Sequence, residues 1–125
     1  MAPTKKILII DDDLTALDII DYLFEEKGFE VIRRGDGASA VQCAEEERPD
    51  FILVDLMMPG VNGQECIRRL RGKGIQAPIL AFTAVDDPDI HEEAIIAGCN
   101  EVVTKPCKPA TLIKKVETLL SGVAK

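Results

Sequence analysis

The sequence predicts a doubly wound α/β domain, a five-stranded parallel sheet with helices on both faces. Three observations carry this. Short, wholly apolar runs occur at Ile7 to Ile10, Phe51 to Val54 and Ile79 to Phe82, each flanked by polar or turn residues, as strands buried on both faces require. Between them the apolar residues fall at helical spacing, and the two periods alternate along the chain, the pattern of strands and crossover helices around one sheet. The 125 residues suit one hydrophobic core and are used up by about five strand–helix pairs.

The elements follow in order. After the first strand, Ile7 to Ile10, a helix carries Leu17, Ile20, Leu23 and Phe24 on one face, and Gly28 supplies its stop. Glu30 to Ile32 reads as a weaker second strand. A second helix starts after Asp36 and Gly37 and turns Ala40, Val41 and Ala44 inward. Phe51 to Val54 is the third strand, and the helix after Asn62 and Gly63 buries Ile67 and Leu70. Ile79 to Phe82 follows; Asp87 before Pro88 then gives a cap with proline at the first helical position. Glu101 to Thr104 is a weaker fifth strand, and Pro109 opens a last helix with Leu112, Val116, Leu119 and Leu120 inward. The tail from Ser121 to Lys125 is expected to fray. No repeat, low-complexity segment or linker interrupts the pattern, so a single domain over residues 1–125, without an effector domain, is expected. Such an alternation suggests the flavodoxin-like strand order 2-1-3-4-5, whose functional crevice lies beyond the carboxyl ends of the strands.

Composition narrows the function classes. A net charge of -7 repels a nucleic-acid backbone, so no direct nucleic-acid contact is expected. No stretch approaches the ~18 apolar residues of a membrane span, and the N-terminus lacks the features of a signal peptide; no membrane role is expected, and the cytoplasm is the default location. Cys43, Cys66, Cys99 and Cys107 are widely spaced, form no Cys-x-x-Cys pair and have only His91 as an imidazole partner, so they read as reduced thiols.

The residues just past the strong strands converge on one crevice: Asp11, Asp12 and Asp13 after the first, Asp55 after the third, Thr83 after the fourth and Lys105 after the fifth. Carboxylates crowded together repel, and a hard, oxygen-seeking cation such as magnesium relieves them. Asp13, before Leu14, is expected to cap the first helix, which leaves Asp11 and Asp12 for function. Asp55 ends a buried strand opposite them. A carboxylate there is a candidate nucleophile toward phosphorus. A Thr83 hydroxyl and a Lys105 ammonium, its direction restrained by Pro106, complete a kit for phosphoryl transfer, where catalysis is mostly positioning and charge neutralisation.

Four fragments, Ile-Ile-Asp-Asp-Asp at 9 to 13, Val-Asp-Leu-Met-Met-Pro-Gly at 54 to 60, Phe-Thr-Ala at 82 to 84 and Thr-Lys-Pro at 104 to 106, together resemble the receiver domains of two-component response regulators. The resemblance covers the whole chain. It implies that Asp55 is the phosphoacceptor and that magnesium, or manganese in its place, is held by Asp12, Asp55 and the backbone carbonyl of Met57, with Asp11 acting through a water. It further implies that Lys105 pairs with the phosphoryl group, that Thr83 hydrogen-bonds it and draws in the loop at Ala84, and that the Lys105–Pro106 bond is cis. The implied donor is a phosphohistidine on a histidine kinase or phosphotransfer protein, and the output is a protein surface; monomer and phosphorylation-dependent dimer both stay open. Val102 stands where the family commonly has Tyr or Phe, Cys107 where a Phe is common, and Asn62 replaces a more frequent Asp. Met57 and Val85, two residues beyond Asp55 and Thr83, are apolar, which implies slow loss of the phosphoryl group.

Rival readings rest on less. Asp11-x-Asp13-x-Thr15 looks like the nucleophile motif of haloacid-dehalogenase-type phosphatases, with Asp11 as nucleophile, but leaves Asp55 unexplained. A flavin phosphate in the crevice would meet three aspartates. A pure interaction module would leave the residue kit without use. His91, just inside a helix, is expected to be solvated and without a role.

Overall fold

The computed structural model describes residues 5–13 and 18–122, with only the backbone of Ile19. Five strands, β1 (Lys6–Ile10), β2 (Glu30–Arg34), β3 (Phe51–Val54), β4 (Ile79–Thr83) and β5 (Glu101–Thr104), alternate with helices α1 (Asp18–Glu26), α2 (Gly37–Glu47), α3 (Gly63–Gly72), α4 (Pro88–Ala97) and α5 (Pro109–Leu120). All strand pairs are parallel, in the order β2-β1-β3-β4-β5 expected from the sequence. Three strand boundaries differ from expectation, the first being that β1 starts at Lys6 rather than Ile7. β2 runs on to Arg34, and Thr83 is the last residue of β4 rather than the first beyond it.

The sheet is buried on both sides because successive side chains alternate faces. Leu8, Ile10, Ile52, Val54, Ile79 and Ala81 pack against Ala40, Ala44, Ile67, Leu70 and Ala94 of α2, α3 and α4. Ile7, Ile9, Phe51, Leu53, Leu80, Phe82 and Val103 pack against Ile20 and Phe24 of α1 and Leu112, Ile113, Val116 and Leu119 of α5. Of the inward residues read from the helical spacing, Ile20, Phe24, Ala40, Val41, Ala44, Ile67, Leu70, Leu112, Val116 and Leu119 are buried, Leu23 and Leu120 are partly buried, and Leu17 lies outside the described residues.

Helix starts follow their capping chemistry. Asp36 accepts from the Ser39 N–H, Asn62 from the Glu65 N–H and Asp87 from the Asp89 N–H, each satisfying a donor left over at a helix N-terminus. The cap expected from Asp13 cannot be compared, since residues 14–17 are not described, and the last residues of the expected frayed tail, 123–125, lie outside as well. At α1's other end, Gly28 takes φ of 93° and donates to the Glu25 carbonyl, so it is the stop. Cys43, Cys66 and Cys99 are buried and Cys107 is half-buried, all as free thiols. Burial pushes the Cys66 thiol up to about 12 and that of Cys99 to about 11. No helix among the described residues is long and apolar enough to cross a membrane.

Candidate functional site

The site forms because β1 and β3 are neighbours in matched register. Ile10 pairs with Val54, so Asp11 and Asp55 leave the sheet side by side. Backbone bonds fix both: the Asp11 N–H donates to the Arg34 carbonyl at 3.0 Å and the Asp55 N–H to the Ile10 carbonyl at 2.9 Å. On the other side of β3, Thr83 pairs with Thr104 across β4 and β5, and the Lys105 N–H donates to the Thr83 carbonyl at 2.7 Å. The Lys105–Pro106 bond is cis, as the resemblance implied.

These placements bring three carboxylates together. One oxygen each of Asp11, Asp12 and Asp55 lies within 4.8 Å of the others. Asp11 is buried, Asp55 half-buried and Asp12 exposed, so the cluster opens to solvent on the Asp12 side. All its donors are hard oxygens, which fits a small divalent cation such as magnesium and would suit a softer metal poorly.

Lys105 answers part of that negative charge. Its Nζ lies 2.8 Å from Asp11 Oδ2 and 3.7 Å from Asp55 Oδ2, and 5.2 Å from the ring centroid of Phe82. The ammonium thus bridges two carboxylates and leans on Asp11. The other Asp11 oxygen, Oδ1, accepts the Asp13 N–H at 2.8 Å. With both oxygens engaged and only 2% of the residue exposed, Asp11 is poorly placed as a nucleophile, which disfavours the phosphatase-type reading. Asp55 is freer. Its Oδ1 accepts the Met57 N–H at 3.2 Å, and Oδ2 faces Lys105 at the longer distance.

Thr83 is wholly buried, and its hydroxyl oxygen accepts the Val85 N–H at 3.3 Å. Ala84 beside it is exposed, and Met57 is 54% exposed. Val102 is half-buried and packs on the α2–α3–α4 side, whereas Cys107 packs on the opposite side.

One expectation is overturned. His91 is not a freely solvated side chain: it is half-buried, and its Nε2 lies 2.7 Å from the Val85 carbonyl oxygen. Sequence reading missed this because the bond joins a helix to a loop six residues earlier, outside any helical or strand period. It missed Arg71 as well, whose guanidinium donates to the carbonyls of Gly98, Ile75 and Ala77 and to Asn100 Oδ1 at 2.9 to 3.1 Å. An arginine in the last turn of an amphipathic helix carries no mark that separates a clamp from a solvated charge.

The chain is similar to known proteins in sequence and in fold. The family description "Response regulator receiver domain" matches residues 7–117. The chain is 34% identical over 116 residues to the alkaline phosphatase synthesis transcriptional regulatory protein PhoP of Bacillus subtilis, covering 93% of this chain and 48% of that protein. It is likewise 34% identical to the DNA-binding response regulator MtrA of Mycobacterium tuberculosis, covering 93% and 50%. The chain therefore spans about half the length of these curated relatives. Among solved structures, the chemotaxis protein CheY4 of Vibrio cholerae superposes with a TM-score of 0.86 at 28% identity, over 92% of this chain and 98% of that one. A receiver domain of the Francisella response regulator 1452 gives 0.87 at 29% identity, over 96% and 99%.

Proposed function

This chain belongs to the response regulator receiver domain family of two-component systems, and from that premise we propose that it accepts a phosphoryl group on Asp55 from a phosphohistidine of a histidine kinase or phosphotransfer protein. The observation that carries the proposal is the cluster itself: Asp55 at the end of the central strand, with Asp11 and Asp12 oxygens within 4.8 Å and the Lys105 ammonium between Asp11 and Asp55. In the transfer, the phosphorus–nitrogen bond of the donor breaks as a bond from phosphorus to an Asp55 carboxylate oxygen forms. The electron pair stays on the donor imidazole.

Each residue has a part. Asp55 supplies the attacking oxygen, and the Met57 N–H holds the Oδ1 side of its carboxylate in place. Lys105 shifts its ammonium from Asp11 toward the arriving phosphoryl oxygens, a short move since it already lies 3.7 Å from Asp55 Oδ2. Thr83 turns its hydroxyl to a phosphoryl oxygen, giving up or sharing the Val85 N–H. Asp12, Asp55 and the Met57 carbonyl would hold magnesium, or manganese in its place, with Asp11 reaching it through a water. When bound, that ion supplies neutralising charge for the phosphoryl oxygens. The domain then acts as a signalling phosphoacceptor, with α4, β5 and α5 as its protein-binding output surface.

The test is incubation with acetyl phosphate, with and without magnesium, followed by intact mass. One phosphoryl group is expected on the native chain in the presence of magnesium only, and none on Asp55→Asn. Labelling of Asp11, or no labelling of the native chain, would overturn the proposal.

A further inference from the structure

Val85 is held through both of its backbone polar groups. Its N–H donates to Thr83 Oγ1 at 3.3 Å, and its carbonyl accepts from His91 Nε2 at 2.7 Å. A carbonyl oxygen only accepts, so Nε2 carries the proton and the imidazole is the donor. His91 itself belongs to the first turn of α4, where its own N–H donates to the Asp87 carbonyl at 3.0 Å. The short segment between β4 and α4 is therefore tied at one end to the buried Thr83 hydroxyl and at the other to a helix.

That helix is lightly seated. Among the described residues of α4 only Ala94 is buried, whereas α5 buries Leu112, Ile113, Val116 and Leu119. Polar bonds supplement this packing: Gln64 Nε2 donates to Glu93 Oε1 at 3.3 Å, and Arg71 reaches the Gly98 carbonyl just past the helix end. An element held by few apolar contacts and a few directed bonds shifts as a unit when one of those bonds changes.

We propose that His91 is a positioning residue of the switch: by holding the Val85 carbonyl it sets how readily Thr83 turns toward phosphorylated Asp55, and it carries that turn to α4. The proposal rests on the receiver reading and adds a residue that the reading does not supply. When Thr83 reorients, the Val85 peptide either follows it, breaking the His91 bond or drawing α4 along, or loses its N–H partner. His91 thus opposes the turn in the resting state and converts it into helix movement once it occurs.

The test compares native chain, His91→Ala and His91→Gln by amide NMR and by the rate of phosphorylation with acetyl phosphate and magnesium. In native protein the His91 ring is expected as the Nε2-protonated form. In unphosphorylated His91→Ala, the Ala84 and Val85 amides are expected to move toward their positions in phosphorylated native protein, and phosphorylation to quicken on the order of fivefold, the worth of one neutral hydrogen bond. The Ile95 and Ile96 amides should respond less to phosphorylation. Gln, whose side-chain amide can donate to the same carbonyl, should restore native behaviour. Loop amides at native positions and a rate within about twofold of native in His91→Ala would overturn the role of His91 while leaving the receiver reading intact. Absence of phosphoryl uptake by the native chain would overturn the receiver reading, and the coupling with it.

Discussion

Asp11 shows how one buried side chain serves structure and site together. Its two oxygens hold the Asp13 amide and the Lys105 ammonium, so the turn after β1 and the cation after β5 are set by the same carboxylate. Arg71 does comparable work away from the site. It gathers the carbonyls of Ile75, Ala77 and Gly98 with Asn100 Oδ1, which in turn accepts the Ile79 N–H at 2.8 Å and so fixes the start of β4. Replacing Arg71 by Met keeps apolar bulk and removes the donors. The expected loss is about 2–4 kcal/mol of unfolding free energy, because several partly buried carbonyls lose partners at once, and urea unfolding would measure it. If Asp55 is the phosphoacceptor as proposed, Met57 and Val85 bear on how long the phosphoryl group persists. Neither side chain offers a hydrogen bond to an attacking water, so phospho-Asp55 is expected to outlast a half-life of seconds. Met57→Asn should shorten it roughly tenfold by supplying a polar group beside the phosphoryl oxygens, read from the decay of phosphorylated mass after the donor is removed.

Helix α3 starts so close to the end of β3 that Gly63 leaves no room for a side chain. A Cβ there would sit 2.4 Å from the Asp55 carbonyl oxygen and 2.5 Å from Leu56 Cα, both backbone atoms that cannot swing aside. Gly63→Ala must therefore push α3 away or displace Asp55. It is expected to cost about 1–3 kcal/mol, as overpacking does, and to slow phosphorylation more than the stability loss alone explains; the two are separated by assaying well below the unfolding temperature. At α2, the Asp36 carboxylate accepts the Ser39 N–H and hydroxyl, which hold its carboxyl below the ordinary 3.8. A lowered carboxyl stabilises the fold above its unfolded value, and that contribution disappears as pH falls through the folded value. Denaturation midpoints followed from pH 5 downward, a range spanning about two units around the ordinary carboxyl value, should therefore fall less steeply for Asp36→Asn, which caps without titrating.

At the scale of the whole molecule, the described residues form a sheet covered on both faces, with an acidic cluster and Lys105 at the carboxyl edge of its strands. Sealing explains why strand residues such as Ile7, Leu8, Phe51 and Ile52 are fully buried. Gathering explains the acidic cluster: parallel strands all end on the same side, so every residue that follows a strand is delivered to that side. Carboxylates held together in the folded state repel one another there and much less when the chain is unfolded. Magnesium should accordingly raise the thermal midpoint, by about 1.4 kcal/mol of stability when present at ten times its dissociation constant, and a chelator should reverse the gain. In Asp12→Ala the increment should shrink sharply, since one of the three carboxylates is lost.

The sequence by itself determined the elements, their order and the edge at which chemistry collects. These follow from period, capping residues and the one-directional run of parallel strands, all local or topological signals that Ile7 to Ile10, Asp36, Asn62 and Pro88 display openly. It also pointed to Asp11, Asp12, Asp55, Thr83 and Lys105 by their position at or just past a strand end, because a residue there has few places to go. Tertiary structure decided who touches whom at that edge. That Lys105 leans on Asp11 more closely than on Asp55, that Gly63 lies against the Asp55 carbonyl, and that His91 holds Val85 are matters of ångströms between segments distant in sequence or unlike in period. Periodicity reports which face a residue takes; only packing sets the distance across which its polar atoms meet.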